Sequence, residues 1–260
     1  MRLALLLGGS LSPFNRDVLA PVLADPAITV TGAVVDRRAP RSRADKLRRA
    51  RRSGRGGFVL VMAAEAMRRP PETDSRAAME EHGVPVHETS DLYDDATVAF
   101  LRAAQPDALF RAGFGIVREP ILSLAPHGVL SYHHGDLRRF RGLPPAFWEL
   151  YRDEREMGVT LQVLAPELDA GRVVAEAFVP VERTDSWHSL RERAYARSVG
   201  LVHEGCLALD RPGFSPQPVD RLGPLYTTPT LRQWSKLQLR VALRRLRPGA
   251  HRREHQCSQL

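Results

Sequence analysis

The chain has 260 residues, 43% of them hydrophobic and 26% charged, which is the balance of an ordinary folded domain and excludes a disordered or fibrous chain. Lys and Arg number 38, nearly all arginine, against 30 Asp and Glu, for a formal net charge of +8. That excess fits either an anionic partner (phosphate, polyglutamate, nucleic acid, acidic lipid) or a merely arginine-rich composition, and it says nothing about fold.

The opening apolar run, Leu3–Leu7, stops at Gly8-Gly9, short of the ~7–15 residues of a secretory leader, and reads as a first buried strand. The turn Gly8-Gly9-Ser10 leads into a helix over 15–23. Such a turn is either an anion site at a helix start or simply a tight connection. A second strand spans 28–35. From Arg37 to Arg55 ten basic residues face a single Asp45, so this segment is a solvated loop or a contact for tRNA or a phosphorylated substrate. An apolar helix is expected over 58–67. A helix at 73–82, a short edge strand at 84–86 and a helix at 94–104 follow. The strand Asp107–Phe110 then opens into Arg111–Val117, where Gly113 and Gly115 let backbone approach a flat ligand. A short helix is expected at 120–124.

The densest chemistry lies between Val129 and Val174. An apolar strand delivers Ser131, Tyr132, His133 and His134, and a loop carries Asp136, Arg141 and Gly142. A helix at 144–152 precedes a strand at 159–163, which runs on to Glu167-Leu168-Asp169-Ala170-Gly171. If these two strands are neighbours in one sheet, His133 and Asp169 converge at their carboxyl ends, where open α/β sheets bind ligands. An alternating strand at 173–181 and one helix over 189–207 follow. After a loop, Thr228-Pro229 reads as the start of a basic amphipathic helix, Leu231–Leu246, that either packs on the domain, lies on a membrane or holds a polyanion. A polar tail ends the chain.

Cys206 and Cys257 are too far apart and too few for a disulfide framework or a metal cluster, so a reducing cytoplasm is expected and no metal is read. No run approaches the ~20 apolar residues of a membrane span. No GxSxG elbow, P-loop or dinucleotide fingerprint appears.

In order, these motifs resemble the folate-dependent formyltransferases, which act on glycinamide ribonucleotide, methionyl-tRNA and amino sugars. The family has a strand ending Asn-x-His, a loop ending Arg-Gly and a later Leu-Asp-x-Gly. His133, Arg141-Gly142 and Leu168-Asp169-Ala170-Gly171 match them, while Ser131 stands where the family has its catalytic Asn. The resemblance covers roughly residues 1–210 and implies a doubly wound, mostly parallel α/β domain, with residues 211–260 as a loop, basic helix and tail. It further implies 10-formyltetrahydrofolate as co-substrate and His133, Asp169 and Ser131 as catalytic residues. The pterin would be held by Arg111, Ala112, Gly113, Phe114, Gly115, Ile116 and Val117, with Glu167 and Leu168. The acceptor would meet His134, Asp136, Arg141 and Gly142, with Gly8, Gly9 and Ser10. Asp136 either binds an acceptor ammonium or caps its loop. The short stretch after position 210 favours a small-molecule amine over methionyl-tRNA, with a non-catalytic folate-binding protein as the other alternative and RNA as the less favoured partner.

Overall fold

The computed structural model describes residues 1–38, 61 and 71–246. The basic segment from Ala39, the expected helix at 58–67 apart from residue 61, and the polar tail lie outside the described residues.

The elements run β1 (Arg2–Leu7), β2 (Ser10–Leu11), α1 (Pro13–Ala24), β3 (Thr29–Asp36), β4 (Thr73–Asp74), α2 (Ser75–Glu81), β5 (Val86–Thr89), α3 (Asp95–Ala103) and β6 (Ala108–Ala112). Then come β7 (Val129–His133), β8 (Arg141–Gly142), α4 (Phe147–Arg152), β9 (Glu156–Val163), β10 (Arg172–Pro180), α5 (Trp187–Ser198), α6 (Leu201–Leu209), β11 (Leu225–Tyr226) and α7 (Leu231–Leu246). Seven strands form one sheet in the order β10-β9-β7-β6-β1-β3-β5. The five from β5 to β7 are parallel, whereas β9 runs antiparallel to β7 and β10 antiparallel to β9. The chain winds outward from β1 in both directions, the doubly wound and mostly parallel arrangement expected.

β1 explains why the sheet is covered on both faces: Leu3 to Leu7 are all fully buried, so neither set of alternating side chains can face water. Leu3, Leu5 and Leu7 join one core with Val18 and Leu19 of α1, Leu190 of α5 and Val202 of α6. Ala4 and Leu6 join the opposite core with Leu101 of α3 and the loop residues Phe114, Val117 and Ile121. Leu237 and Val241 of α7 enter the first core, so of the placements open to that helix it takes packing on the domain. No described helix is long and apolar enough to cross a membrane.

Some local expectations change. The helix expected over 189–207 is two helices, broken at Gly200, which carries the backbone freedom that weakens a helix interior. Residues 120–124 form turns, because the Glu119 carboxylate takes both the amide (3.3 Å) and the hydroxyl (2.6 Å) of Ser123 in competition with helical bonding. Thr73 and Asp74 pair with β2, and Asp74 instead caps α2 by accepting from Ala77 N at 3.0 Å. α7 spans Leu231–Leu246 as expected, but its start is set by Thr230 and not by the Thr228-Pro229 pair. Thr230 and Gln233 cap each other's backbone amides there, a capping box that defines the helix start.

Candidate active site

The site grows from a change in character along one face of three neighbouring strands. Alternate strand residues face opposite sides of a sheet. On β6, β7 and β9, Phe110, Leu130 and Leu161 face the first core and are fully buried. The other set begins apolar, with Leu109 and Val129, and then turns polar. Arg111 lies in register with Ser131, Ser131 with Gln162, and His133 with Thr160. Five polar side chains thus form a contiguous ledge at the carboxyl end of β6 and β7, the end at which open α/β sheets bind ligands.

The route of Asp169 to this ledge differs from the expectation. β9 is a neighbour of β7 but antiparallel to it, so its last residue, Val163, lies beside Leu130 and far from His133. The 164–171 loop folds back along the ledge instead: Leu164 N donates to Val129 O (2.8 Å), and Gly171 N to the Gln162 side-chain oxygen (3.0 Å). A Cβ on Gly171 would lie 2.1 Å from the Val163 carbonyl oxygen, so a side chain there would push the loop off the strand. Asp169, at φ +47, then sits with one carboxylate oxygen 3.5 Å from His133 Nδ1 and the other accepting from Gly142 N at 2.9 Å.

His133 is 6% exposed, and its Nε2 donates to the Phe140 carbonyl at 2.7 Å. Both ring nitrogens therefore face acceptors, an arrangement that favours the doubly protonated ring. Burial works against that charge, but the bond to Asp169, the Asp169 charge, the Phe140 carbonyl and the charge of Glu149 together hold the pKa above its usual value. Asp169 is correspondingly held below the usual carboxylate range; burial opposes this, and His133, the Gly142 amide and Arg141 outweigh it.

Arg111 reaches across the ledge. Its Nε donates to the Gly115 carbonyl (2.7 Å) and its Nη1 to the Ser131 hydroxyl (3.1 Å). Burial lowers its pKa, and Asp169 works against that. The 114–117 segment is anchored by the buried Phe114 and Val117, while the Tyr93 hydroxyl donates to Ile116 O and accepts from Arg118 N. Ile116 itself is 68% exposed.

Other expected residues are tied into the scaffold. Arg141 clamps the 164–171 loop, with Nη1 on Glu167 and on the Leu168 carbonyl, both at 3.2 Å, and Nε on Gly223 O. Gly142, at φ +90, pairs with Tyr226 at a distance that leaves no room for a Cβ. Asp136 accepts from Arg138 N (2.9 Å) and pairs with its guanidinium, which also bonds Glu176. This contact fits the loop-capping alternative. Gly8 donates to Ala112 O, and the Ser10 hydroxyl donates to Glu72, so the turn spends these donors internally. His134 lies among Phe14, Tyr132 and Tyr195, and burial pushes its pKa down to about 3, so it is neutral.

Glu149, Thr160 and Gln162 carry weak sequence signals. Glu149 on α4 is 2% exposed, and burial pushes its pKa up to about 7, with the positive His133 pulling the other way. Its signal is an acid between Trp148 and Leu150 in an otherwise apolar turn. That of Thr160 and Gln162 is polar residues at alternate positions of an apolar strand.

The fold is a doubly wound, mostly parallel α/β domain, and the buried His133 meets the part-buried Asp169 beside the Arg-Gly and Leu-Asp-x-Gly loops at the carboxyl edge of its parallel strands. The family model for formyl transferases matches residues 43–202, more than half the chain, and the chain belongs to that family. A methionyl-tRNA formyltransferase from Anaeromyxobacter dehalogenans is 35% identical over 150 residues, 55% of this chain and 48% of that protein. The chain thus spans about half the length of the named relatives it matches. Among solved structures, phosphoribosylglycinamide formyltransferase from Anaplasma phagocytophilum superposes with TM-score 0.58 at 19% identity, over 88% of this chain and 99% of that one. Glycinamide ribonucleotide transformylase 1 from Symbiobacterium toebii gives 0.54 at 21%, over 85% and 94%. At these identities the structures show a shared fold.

Proposed function

We propose that the protein transfers a formyl group from 10-formyltetrahydrofolate to the primary amine of a small molecule. The observation that carries this reading is the His133–Asp169 pair on a polar ledge whose mouth is rimmed by apolar side chains. Ile116, Leu143 and Leu168 are 68%, 64% and 53% exposed, and they stand on the loops that bond Arg111, Asp169 and Arg141. Exposed apolar residues around a polar floor suit a flat heteroaromatic ring that places one polar reacting group on the floor. Gly113, at φ +80, turns the backbone of that rim back toward Gly8, where the bridge to Leu7 is made. These features fit a pterin held along Gly113–Val117 and Glu167–Leu168.

In this reading the donor brings a formyl carbon activated by its bond to the folate nitrogen. Asp169 holds His133 as an imidazolium and, through water, takes the proton that the attacking amine must lose. Arg141 and Gly171 keep Asp169 in place, since they fix the loop that carries it. The segment 211–246 packs on the domain itself, with β11 on β8 and Leu237 and Val241 of α7 in the first core. The second reading, methionyl-tRNA as acceptor, is favoured by the named relatives.

Both are tested by incubating the protein with 10-formyltetrahydrofolate and a panel of amino sugars, amino acids, glycinamide ribonucleotide and methionyl-tRNA, with products read by mass spectrometry. A formylated small amine supports the first reading and formylmethionyl-tRNA the second. No formylated product from any acceptor contradicts both.

A further inference from the structure

We infer that Arg111, with the Ser131 hydroxyl, is the donor pair that faces the oxygen of the transferred formyl group. The inference rests on the proposed formyl transfer and deepens it.

Three observations meet here. First, His133 has both ring nitrogens committed to protein acceptors, Phe140 O at 2.7 Å and Asp169 at 3.5 Å, so neither is left to face the oxygen. Second, Arg111 and Ser131 lie side by side in register on β6 and β7, on the same face as His133, with the guanidinium Nη1 3.1 Å from the hydroxyl. Because Ser131 accepts that bond, its own hydrogen is left to donate; its contact among the described residues is the Tyr132 carbonyl at a long 3.4 Å. Third, Arg111 has no ion-pair partner among the described residues, although its side chain is largely withdrawn from water. Charges withdrawn from water are as a rule paired; among the described residues this guanidinium feels the Asp169 charge without an ion pair to it, so it can still take an anionic oxygen on the ledge. Its planar fork still has donors beyond those to Gly115 and Ser131.

The step then balances within the ledge. The acceptor nitrogen's lone pair forms the new bond to the formyl carbon, and the carbonyl π pair moves onto oxygen, where Arg111 and Ser131 hold it. As the carbonyl re-forms, the bond from carbon to the folate nitrogen breaks. The proton lost by the acceptor passes through water to the Asp169 carboxylate and from there, again through water, to that leaving nitrogen, while His133 keeps both of its protons. Ser131, whose single hydroxyl is a short and weak donor alone, becomes an adequate one when a cation polarises it.

The test compares Arg111→Met, Arg111→Lys and the double variant Arg111→Met/Ser131→Asn with the native protein. Turnover is measured with 10-formyltetrahydrofolate and the acceptor found by the panel above. Affinity for tetrahydrofolate, which lacks the formyl group, is measured by tryptophan fluorescence. Arg111→Met is expected to lower kcat by ~10²–10³ while leaving tetrahydrofolate affinity within about threefold. Lysine should recover part of the rate, and Asn at 131 should restore at least about tenfold by supplying an amide donor in place of the lost cation. A purely structural role, in which Arg111 only anchors Gly115, predicts instead that tetrahydrofolate affinity and thermal stability fall together and that neither Lys nor Asn rescues. That outcome, or a native rate in Arg111→Met, overturns the inference while leaving formyl transfer standing. A native protein that neither binds tetrahydrofolate nor formylates any acceptor removes the reading beneath it, and the inference with it.

Discussion

The two faces of β6, β7 and β9 are made by the same strands and separated by one residue of register, yet they do different work. Phe110, Leu130 and Leu161 point one way into the first apolar core. Arg111, Ser131, His133, Thr160 and Gln162 point the other way and form the ledge. Burying those five polar groups costs stability unless each finds a partner. The structure supplies partners for most of them from neighbouring loops: Phe140, Asp169, Gly135, Gly115 and Gly171. One face therefore specifies the fold, while the other uses the rigidity so gained to hold charged groups close together.

Substitutions on the two faces should separate accordingly. His133→Ala on the ledge should lower transfer by ~10²–10⁴, with melting temperature little changed; near-native turnover would remove His133 from the reaction. Phe110→Ala on the apolar face should behave in the opposite sense, costing ~3–5 kcal/mol by denaturant unfolding while the activity per folded molecule persists. Equal losses of activity per folded molecule in both variants would erase the distinction between the faces.

Glu149 sharpens it from behind the ledge. Its carboxyl pKa rises in the fold from an ordinary 4.5 to about 7, so the folded state holds this proton more tightly than the unfolded chain. Its stabilising contribution is then complete below about pH 4.5 and is lost as pH rises through about 7. Glu149→Gln, which imitates the protonated acid, should leave stability at pH 4.5 nearly unchanged. Above pH 7 it should raise stability by on the order of 3 kcal/mol, since each tenfold gain in proton affinity on folding is worth about 1.4 kcal/mol. Urea unfolding at the two pH values checks this, and a variant destabilised equally at both would refute it.

The smallest effect is expected at Thr160, a ledge residue whose hydroxyl donates to the Gly135 carbonyl at 3.0 Å. Thr160→Val should cost about 1 kcal/mol, the value of one buried hydrogen bond, with turnover within a few-fold of native. A hundredfold loss of turnover would place Thr160 among the reacting groups.

Much of this was legible before the structure. The continuous apolar run of Leu3–Leu7 reads as a doubly covered strand, and the His133 and Asp169 motifs named the pair that the fold brings together. What was not legible depended on strand direction and on side chains that cross between elements. Nothing local in Val159–Val163 reveals that β9 runs against β7, so the return of the loop through Gly171 and Gln162 could not be read. By resemblance Arg111 opens the loop that holds the pterin, whereas it lies on β6 and its side chain belongs to the ledge, as the β6–β7 register shows. The division of 189–207 at Gly200 and the capping box at Thr230 were present as local signals, but the apolar stripe and the Thr-Pro pair outweighed them.

The central claim, that the Asp169-held His133 serves formyl transfer from a folate donor, is tested most directly by Asp169→Asn. Asparagine keeps the shape and can still accept from the Gly142 amide, but it removes the charge that holds His133 protonated. Single-turnover transfer from 10-formyltetrahydrofolate should fall at least about 100-fold, with tetrahydrofolate affinity within about threefold of native. Transfer at the native rate in Asp169→Asn, with the donor bound equally well, would contradict it.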